Sequence, residues 1–532
     1  MKTMKFIKTI ALIAALVFIS CEEYLEEELT GEATGGVFNT AEGIDFALNG
    51  AYSSFTELMG NGNNREDGWT LTTLGTDTFQ NGSDGGNKRY NRYDADLNAD
   101  HGVLIAAWDD LYRGINTANV VIGRAPNVIE DTDELNNILG QARFLRGYYY
   151  YWLVRQWGPV HLTTEETSGV ETEANRTPVS EIYAQIIADL QFAIDNLPEM
   201  QSDRGRITSW AAKTAMAEVH LTNGDYDLAA EFAEDVIDNG PFSLVKPFSD
   251  LWKLENHDDN SEVIYSVQFA ADRLFDATGN PAHLFFLMEY DRRNGMRRDL
   301  QNGRPFKRFK PTSYLLELFD DEDQRYDGTF RSVWFANNPD NLPDGLAIGD
   351  TAVYLPRIAL SPEEKEVRPF ANEIYNRDEL TERIYPSVKK WEQPNRIDVN
   401  SDSGDRDFIV YRYADVLLIA AEANALKASP DQTKALQYLN EVRMRAYNVD
   451  NVGALPSIDA VDVDVILEER AKEFVAEGKR WFDLVRTGKL VERVRLHNPG
   501  GASNIQDFHV LRPIPLTQID RTSNDYPQNQ GY

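Results

Sequence analysis

WAAKTAMAEVHLTNGDYDLAAEFAEDVIDNGP, residues 210–241, reads as two helices joined by a tight turn. Ala217, Gly224, Tyr226, Ala229 and Pro241 stand at the spacing of a repeating helix–turn–helix unit, in which small residues let the paired helices approach closely. Val236 occupies a position where such a unit usually has alanine.

That spacing is the one of a tetratricopeptide repeat, and a second hairpin follows further on. In YADVLLIAAEANALKA (413–428), Tyr413, Val416, Leu417, Ala420, Ala421 and Asn424 share one helical face. Beyond Ser429-Pro430, Leu436, Leu439 and Val442 mark the returning helix, which makes an αα-hairpin. Periodicity predicts further helices at about 41–58, 103–125, 134–157, 179–196 and 463–486. Between 60 and 100, and again from 270 to 405, the period fades and Gly, Asn, Asp, Pro and scattered aromatics take over. Long ordered loops of this kind usually carry function. The fold class is therefore mainly α, with tetratricopeptide-like hairpins supporting an irregular, loop-rich half.

The chain opens MKTMKFIKTIALIAALVFIS, with Lys2, Lys5 and Lys8 ahead of an apolar run from Ile10 to Ile19. A run of roughly 10 residues is too short to span a bilayer and suits a secretory leader over residues 1–20. Ser20 precedes Cys21, the one cysteine of the chain. The junction resembles a bacterial lipobox, with Phe18 where leucine is usual, so Cys21 is expected to carry a lipid. Glutamates at 22, 23, 26, 27 and 28 keep a tether over 21–40 hydrated, and they resemble the surface-export signal of Bacteroidetes lipoproteins. No later segment is long and apolar enough to cross a membrane. A single thiol excludes disulfides and cysteine-based zinc sites.

A formal charge of −33 argues against nucleic acid and anionic membrane surfaces as partners. Catalytic signatures such as G-x-S-x-G, H-E-x-x-H and the P-loop are missing, and the seven histidines are scattered singly. Glu468, Glu469, Glu473 and Glu477 run beside Arg470, Lys472, Lys479 and Arg480. This pattern reads as i,i+4 ion pairs on a helix rather than a glycosidase acid pair. Arg143 and Arg146 read as helix-packing and ion-pair residues. Asp398, Asn400 and Asp402, with Asp405 and Asp407, alternate oxygen ligands as a Ca²⁺ loop does. Ser403 replaces the glycine such a loop needs, so the run reads as a solvated acidic turn, with structural Ca²⁺ as the alternative and no other cofactor expected.

Eight blocks in order carry a family resemblance: ALNGAYSSF (47–55), WDDLYRGINTANVVI (108–122), ARFLRGYYYYWLVRQWGPV (142–160), EIYAQIIADLQFAIDNLP (181–198), YRYADVLLIAAEAN (411–424), LNEVRMRA (439–446), EERAKEFVAEGKRWFDLVRTG (468–488) and LRPIPLTQI…NDYPQNQGY (511–532). Together they resemble the SusD/RagB family of outer-membrane lipoproteins. The resemblance implies one helical body over 41–532, with an N-terminal part to about 245 and a C-terminal part from about 246. It implies a cell-surface protein, lipid-anchored in the outer membrane, that captures glycan and caps a SusC-like, TonB-dependent β-barrel as a lid. Members are not enzymes. A peptide-binding lid of the RagB type is the alternative, and a surface glycoside hydrolase the remote one.

In the family, the loop after a Thr-Asp pair, here Thr76-Asp77, contributes to the ligand platform. Residues 68–98 supply rings at Trp69, Phe79, Tyr90 and Tyr93 among Asp77, Asn81, Asp84, Lys88 and Arg89. Rings stack on the C–H faces of sugars, and the charged and amide groups hydrogen-bond the hydroxyl rim. Tyr90 and Tyr93, in a charged context, are expected to be exposed; Trp69 and Phe79 could equally plug the loop onto the helices. The second loop offers His283, Phe285, Phe286, Tyr290, Arg292 and Trp334.

Overall fold

The computed structural model describes residues 36–60, 65–255, 260–270, 279–367 and 372–532. The leader, Cys21 and most of the acidic tether lie outside these residues.

Apart from the stretch 463–486, the helices predicted from periodicity form at nearly the predicted bounds. α1 spans Ala41–Met59; after a short α2 (Asp67–Thr73) come α3 (Gly102–Arg124), α4 (Thr132–Trp157) and α5 (Val179–Asn196). The two hairpins are α6 (Ser209–Asn223) with α7 (Tyr226–Asn239), and α8 (Tyr413–Leu426) with α9 (Gln432–Ala446). Local chemistry sets their ends. Thr40, Asp131, Thr208 and Asp431 each accept a first-turn backbone N–H, which satisfies donors the helix itself cannot. Gly224 closes α6 at φ 84°, a left-handed value that glycine adopts without strain.

α1, α3, α4, α5, α6, α7, α8 and α9 each pack against the next in that order, so the hairpin pattern extends into a stacked array. Close approach of α3 and α4 depends on Gly114, where an added Cβ would fall 2.4 Å from the Tyr149 ring. α4 is buried on every side from Phe144 onward, and its tyrosines keep their hydroxyls satisfied. Tyr150 donates to the Thr163 carbonyl at 2.9 Å and Tyr149 to Ala51 at 2.5 Å. Arg143 and Arg146 act as expected. Arg146 holds the buried Asp189 of α5 through two N–H groups at 2.8 and 2.6 Å, while Arg143 lies 3.6 Å from the same carboxylate and over Phe192.

The irregular half is pinned by short strands. β1 (Phe79–Asn81) pairs antiparallel with β3 (Phe309–Pro311), β2 (Val263–Val267) with β9 (Phe408–Arg412), and β4 (Phe330–Arg331) with β8 (Ser387–Val388). β5 (Val333–Phe335), β6 (Thr351–Tyr354) and β7 (Glu373–Ile374) form a three-stranded sheet. This sheet covers a small satellite core that includes Met288, Tyr290, Trp334, Val353 and Tyr385.

The helix expected over 463–486 is instead two, α10 (Val463–Glu473) and α11 (Arg480–Arg486), followed by α12 (Leu490–His497). Ala476 (φ 58°) and Gly478 (φ 72°) turn the chain between them, and the Ala476 carbonyl is taken by the Trp391 indole N–H at 3.0 Å. The glutamates therefore do not pair mainly along a helix. Lys472–Glu469 is such a pair, at 3.0 Å. The rest reach across the fold. Arg325 meets Asp323, Glu469 and Glu473; Arg412 meets Glu262, Glu473 and Glu477; Arg445 meets Glu262 and Glu473; and Lys390 meets Glu477. All of these side chains are buried.

Acid should expose the worth of these pairs. Burial alone would push the carboxyls up, but the facing cations reverse it. Arg325 and Lys472 hold Glu469 down at about 2, and Arg470 and Arg486 hold Asp483 at about 2. In the unfolded chain these groups titrate near 4, so between those values the unfolded state binds more protons and stability rises with pH. The contribution is complete above about pH 5 and is lost as pH falls from about 4 toward 2. Urea midpoints measured from pH 7 to pH 3 are expected to hold steady and then drop; a flat profile would mean the network adds nothing net.

Candidate functional site

A cleft of about 660 Å³ opens beside the C-terminal end of the 68–98 loop. One wall is the segment 93–100. Tyr93 leaves a short helical turn (Arg89–Arg92) in the left-handed region, φ 51°, and its hydroxyl donates to the Gly75 carbonyl at 2.5 Å. The next residues fold over Asp94, whose Oδ1 accepts the Asp96 N–H at 3.2 Å and whose carbonyl accepts the Leu97 N–H at 2.9 Å. Leu97 is buried as an anchor, which turns Asn98 and Asp100 outward.

The other wall comes from the end of the chain. Gln506, Phe508, His509, Leu516 and Tyr532 line it. Phe508 and Tyr532 are half-buried, with ring centroids 5.1 Å apart at 87°. Gly531 (φ 99°) lies on the Phe508 ring; a Cβ there would sit within 2.4–2.7 Å of three ring carbons. The Tyr532 hydroxyl donates to the Leu511 carbonyl at 2.9 Å, and burial pushes its phenol up, so it stays a neutral donor. The Leu516 N–H to the Ala99 carbonyl, 2.8 Å, ties the two walls together. Beneath the cleft, Arg512 stacks 3.4 Å over Trp481.

Buried polar contacts hold this junction. Asn498 donates to Asn91 at 2.7 Å and to the Thr76 carbonyl at 2.7 Å, and Asn91 donates to Asn81 at 3.0 Å. Asp77 is fully buried, held by Arg480 through N–H groups at 2.7 and 2.5 Å.

Most of the ring residues singled out in the sequence turn out to be interior. Tyr90 and Tyr93, expected to be exposed, are 0% and 3% exposed. Tyr90 donates to or accepts from His101 Nδ1 at 3.1 Å, and Tyr93 forms only the floor of the cleft. The charged neighbours mislead because their heads turn outward while the rings fill the space between loop and helices. Trp69 (0% exposed) packs edge-on to Phe286, Trp391 and Phe408, and Phe79 packs on Phe286. Asn81, as above, belongs to the buried amide cluster. Phe285 lies against Phe309, and Tyr290 stacks on Trp334 at 4.4 Å in the satellite core. His283 is buried between the Asn280 and Ser401 carbonyls, and burial with Arg396 nearby pushes it down to about 3. These rings are not available to a ligand because each long loop must build its own core. Asp84, exposed, pairs with Lys307 at 2.8 Å; Lys88 and Arg89 bond backbone carbonyls of Ser83 and Asp96; Arg292 is exposed.

The acidic turn is only partly solvated. Asp398 and Asn400 are exposed, but Asp407 is buried, with Arg204 at 2.5 Å and Gln268 at 2.8 Å on its carboxylate. With the Phe269 N–H at 3.1 Å, these donors satisfy the buried carboxylate. Among the described residues, no group of three His, Cys, Asp or Glu side chains is placed to share a metal ion.

The fold and the cleft can be set beside known proteins. The SusD family model matches residues 261–532, just over half of the chain. The chain belongs to the SusD family. A second family model, described as starch-binding and associating with the outer membrane, matches residues 23–221. The chain is similar to SusD-like protein P2 of Formosa agariphila, 28% identical over 548 residues that cover 99% of this chain and 100% of that protein. It is 32% identical to the starch-binding protein SusD of Bacteroides thetaiotaomicron over 132 residues, 24% of this chain and 22% of that one. A solved laminarin-binding SusD-like protein superposes with a TM-score of 0.72 at 22% identity, covering 93% of this chain and 100% of that one, which establishes the shared helical fold.

Phe508, His509 and Tyr532 were not among the sequence candidates, although the family-like close of the chain (511–532) ends in Tyr532 and begins just after the other two. A ring seven residues past Gly501 and another at residue 532, just after Gly531, were the available signal. Nothing local says that this segment meets residue 93.

Proposed function

We propose that this SusD family member is a cell-surface lipoprotein, anchored at Cys21, that captures a glycan in the cleft between residues 93–100 and the chain's C-terminus. It hands the glycan to a SusC-like β-barrel that it caps, and it binds without cleaving. The observation that carries the reading is the composition of the cleft. Two half-buried rings, Phe508 and Tyr532, stand among Asp94, Asn98, Asp100 and Gln506. Rings take the C–H faces of a sugar and the polar groups take its hydroxyls. Starch-binding and laminarin-binding relatives support the ligand class. Capture couples to lid closure only if the closed complex binds glycan more tightly than the open one.

Calorimetry of the full chain in detergent micelles, against plant, algal and host polysaccharides and against peptides, tests this. One glycan class is expected to bind with no cleavage products. Phe508→Ala and Tyr532→Ala should each weaken it about three- to tenfold, the worth of one ring contact. Tyr90→Ala should act on folding rather than on affinity. Peptide binding in place of glycan, or release of sugar products, would overturn the reading.

A further inference from the structure

We infer that the cleft selects uncharged glycans and rejects sulfated or uronate-bearing ones; this rests on the reading of the cleft as the glycan site. Asp94 and Asp100 line it, and no lysine or arginine does among the described residues. Asp96 and Asp507 stand beside it, exposed. The neighbouring cations stay outside the lining: Arg92, next to Tyr93 in the chain, is exposed but is not among the cleft residues. Arg89 donates to the Asp96 carbonyl at 2.9 Å, and Arg512 is buried against Trp481.

The nitrogen donors that line the cleft are neutral: the amides of Asn98 and Gln506, and His509. His509 is 4% exposed, and its Nδ1 accepts the Gln506 N–H at 2.9 Å, which assigns the ring proton to Nε2. Burial and the Arg512 charge push it down to about 4, so it is uncharged at pH 7. Nε2–H has no hydrogen-bond acceptor among the described residues, and His509 lines the cleft.

This set matches sugar hydroxyls, which both donate and accept. Hydroxyls donate to Asp94 and Asp100 and accept from His509 Nε2–H. A sulfate ester or uronate group offers acceptors only, so the position it occupies can no longer donate to a carboxylate, and it meets like charge. In water, each carboxylate about 6 Å away weakens a monoanion about threefold, and two give about tenfold. Salt screens that penalty.

The test compares each neutral oligosaccharide that binds with its own chemically sulfated derivative, by calorimetry on the full chain in detergent micelles at 50 and 500 mM NaCl. The neutral ligand should bind alike at both salts. The sulfated form should bind at least about tenfold more weakly at low salt, with the gap narrowing at high salt. Asp94→Asn/Asp100→Asn should narrow it too, and asparagine retains the acceptor that caps the Asp96 N–H. A sulfated form that binds as tightly as its parent at 50 mM salt, or a gap the double variant leaves unchanged, would overturn the inference. Neutral binding indifferent to Phe508→Ala and Tyr532→Ala would instead overturn the placement of the site, and the inference with it.

Discussion

Replacing Glu473 by alanine is expected to cost the fold about 3–5 kcal/mol, the usual penalty for removing one partner of a buried ion pair. Its carboxylate is shared by Arg325 at 3.0 Å, Arg412 at 2.6 Å and Arg445, and its backbone carbonyl takes Lys390 at 3.1 Å and Arg412 at 3.0 Å. Among the described residues, Arg325, Lys390, Arg412, Arg445 and Lys472 face Glu262, Asp323, Glu469, Glu473 and Glu477, five cations to five carboxylates. Removing one carboxylate leaves a net buried positive charge and three guanidinium groups turned toward a cavity. The cluster joins α9, α10 and β9 to Arg325, on a short helix (Arg325–Thr329), and to Lys390 in a turn, so its loss should loosen the irregular half first. Urea denaturation would measure the change. A loss below about 1 kcal/mol would show that the arginines re-pair on Glu262, Asp323 and Glu477.

Trp69→Ala should cost about 3–5 kcal/mol of stability, as large aromatic truncations in cores do, and change glycan affinity little. Three rings, Phe286, Trp391 and Phe408, lie edge-on to the indole at 5.0–5.8 Å. The side chain is fully buried, so its removal opens a cavity where the 68–98 loop meets the rest of the fold. A ligand-stacking tryptophan would behave the opposite way, with affinity lost and the denaturation midpoint kept. Measuring both on one variant decides between the two roles, since a purely structural ring moves the first and spares the second.

The sequence by itself determined the helices, their hairpin order and the family. Ala217, Gly224 and Tyr226 mark α6 and α7, and the face from Tyr413 to Asn424 marks α8, because helical period, small contact residues and caps act within a few positions. Even there, the break at Ala476–Gly478 escaped, since it is imposed by Trp391 and by arginines from distant segments. The cleft was decided by the tertiary structure. Whether Tyr93, Tyr290 or Trp334 faces water depends on which segment comes to cover it, and those partners lie far away in the chain. Tyr93 and Phe508 become neighbours only because Asn91, Asn498 and the Ala99–Leu516 bond join the two segments. Local composition records a ring's polarity and charge context, and burial is a property of the pairing of segments, which no short window contains.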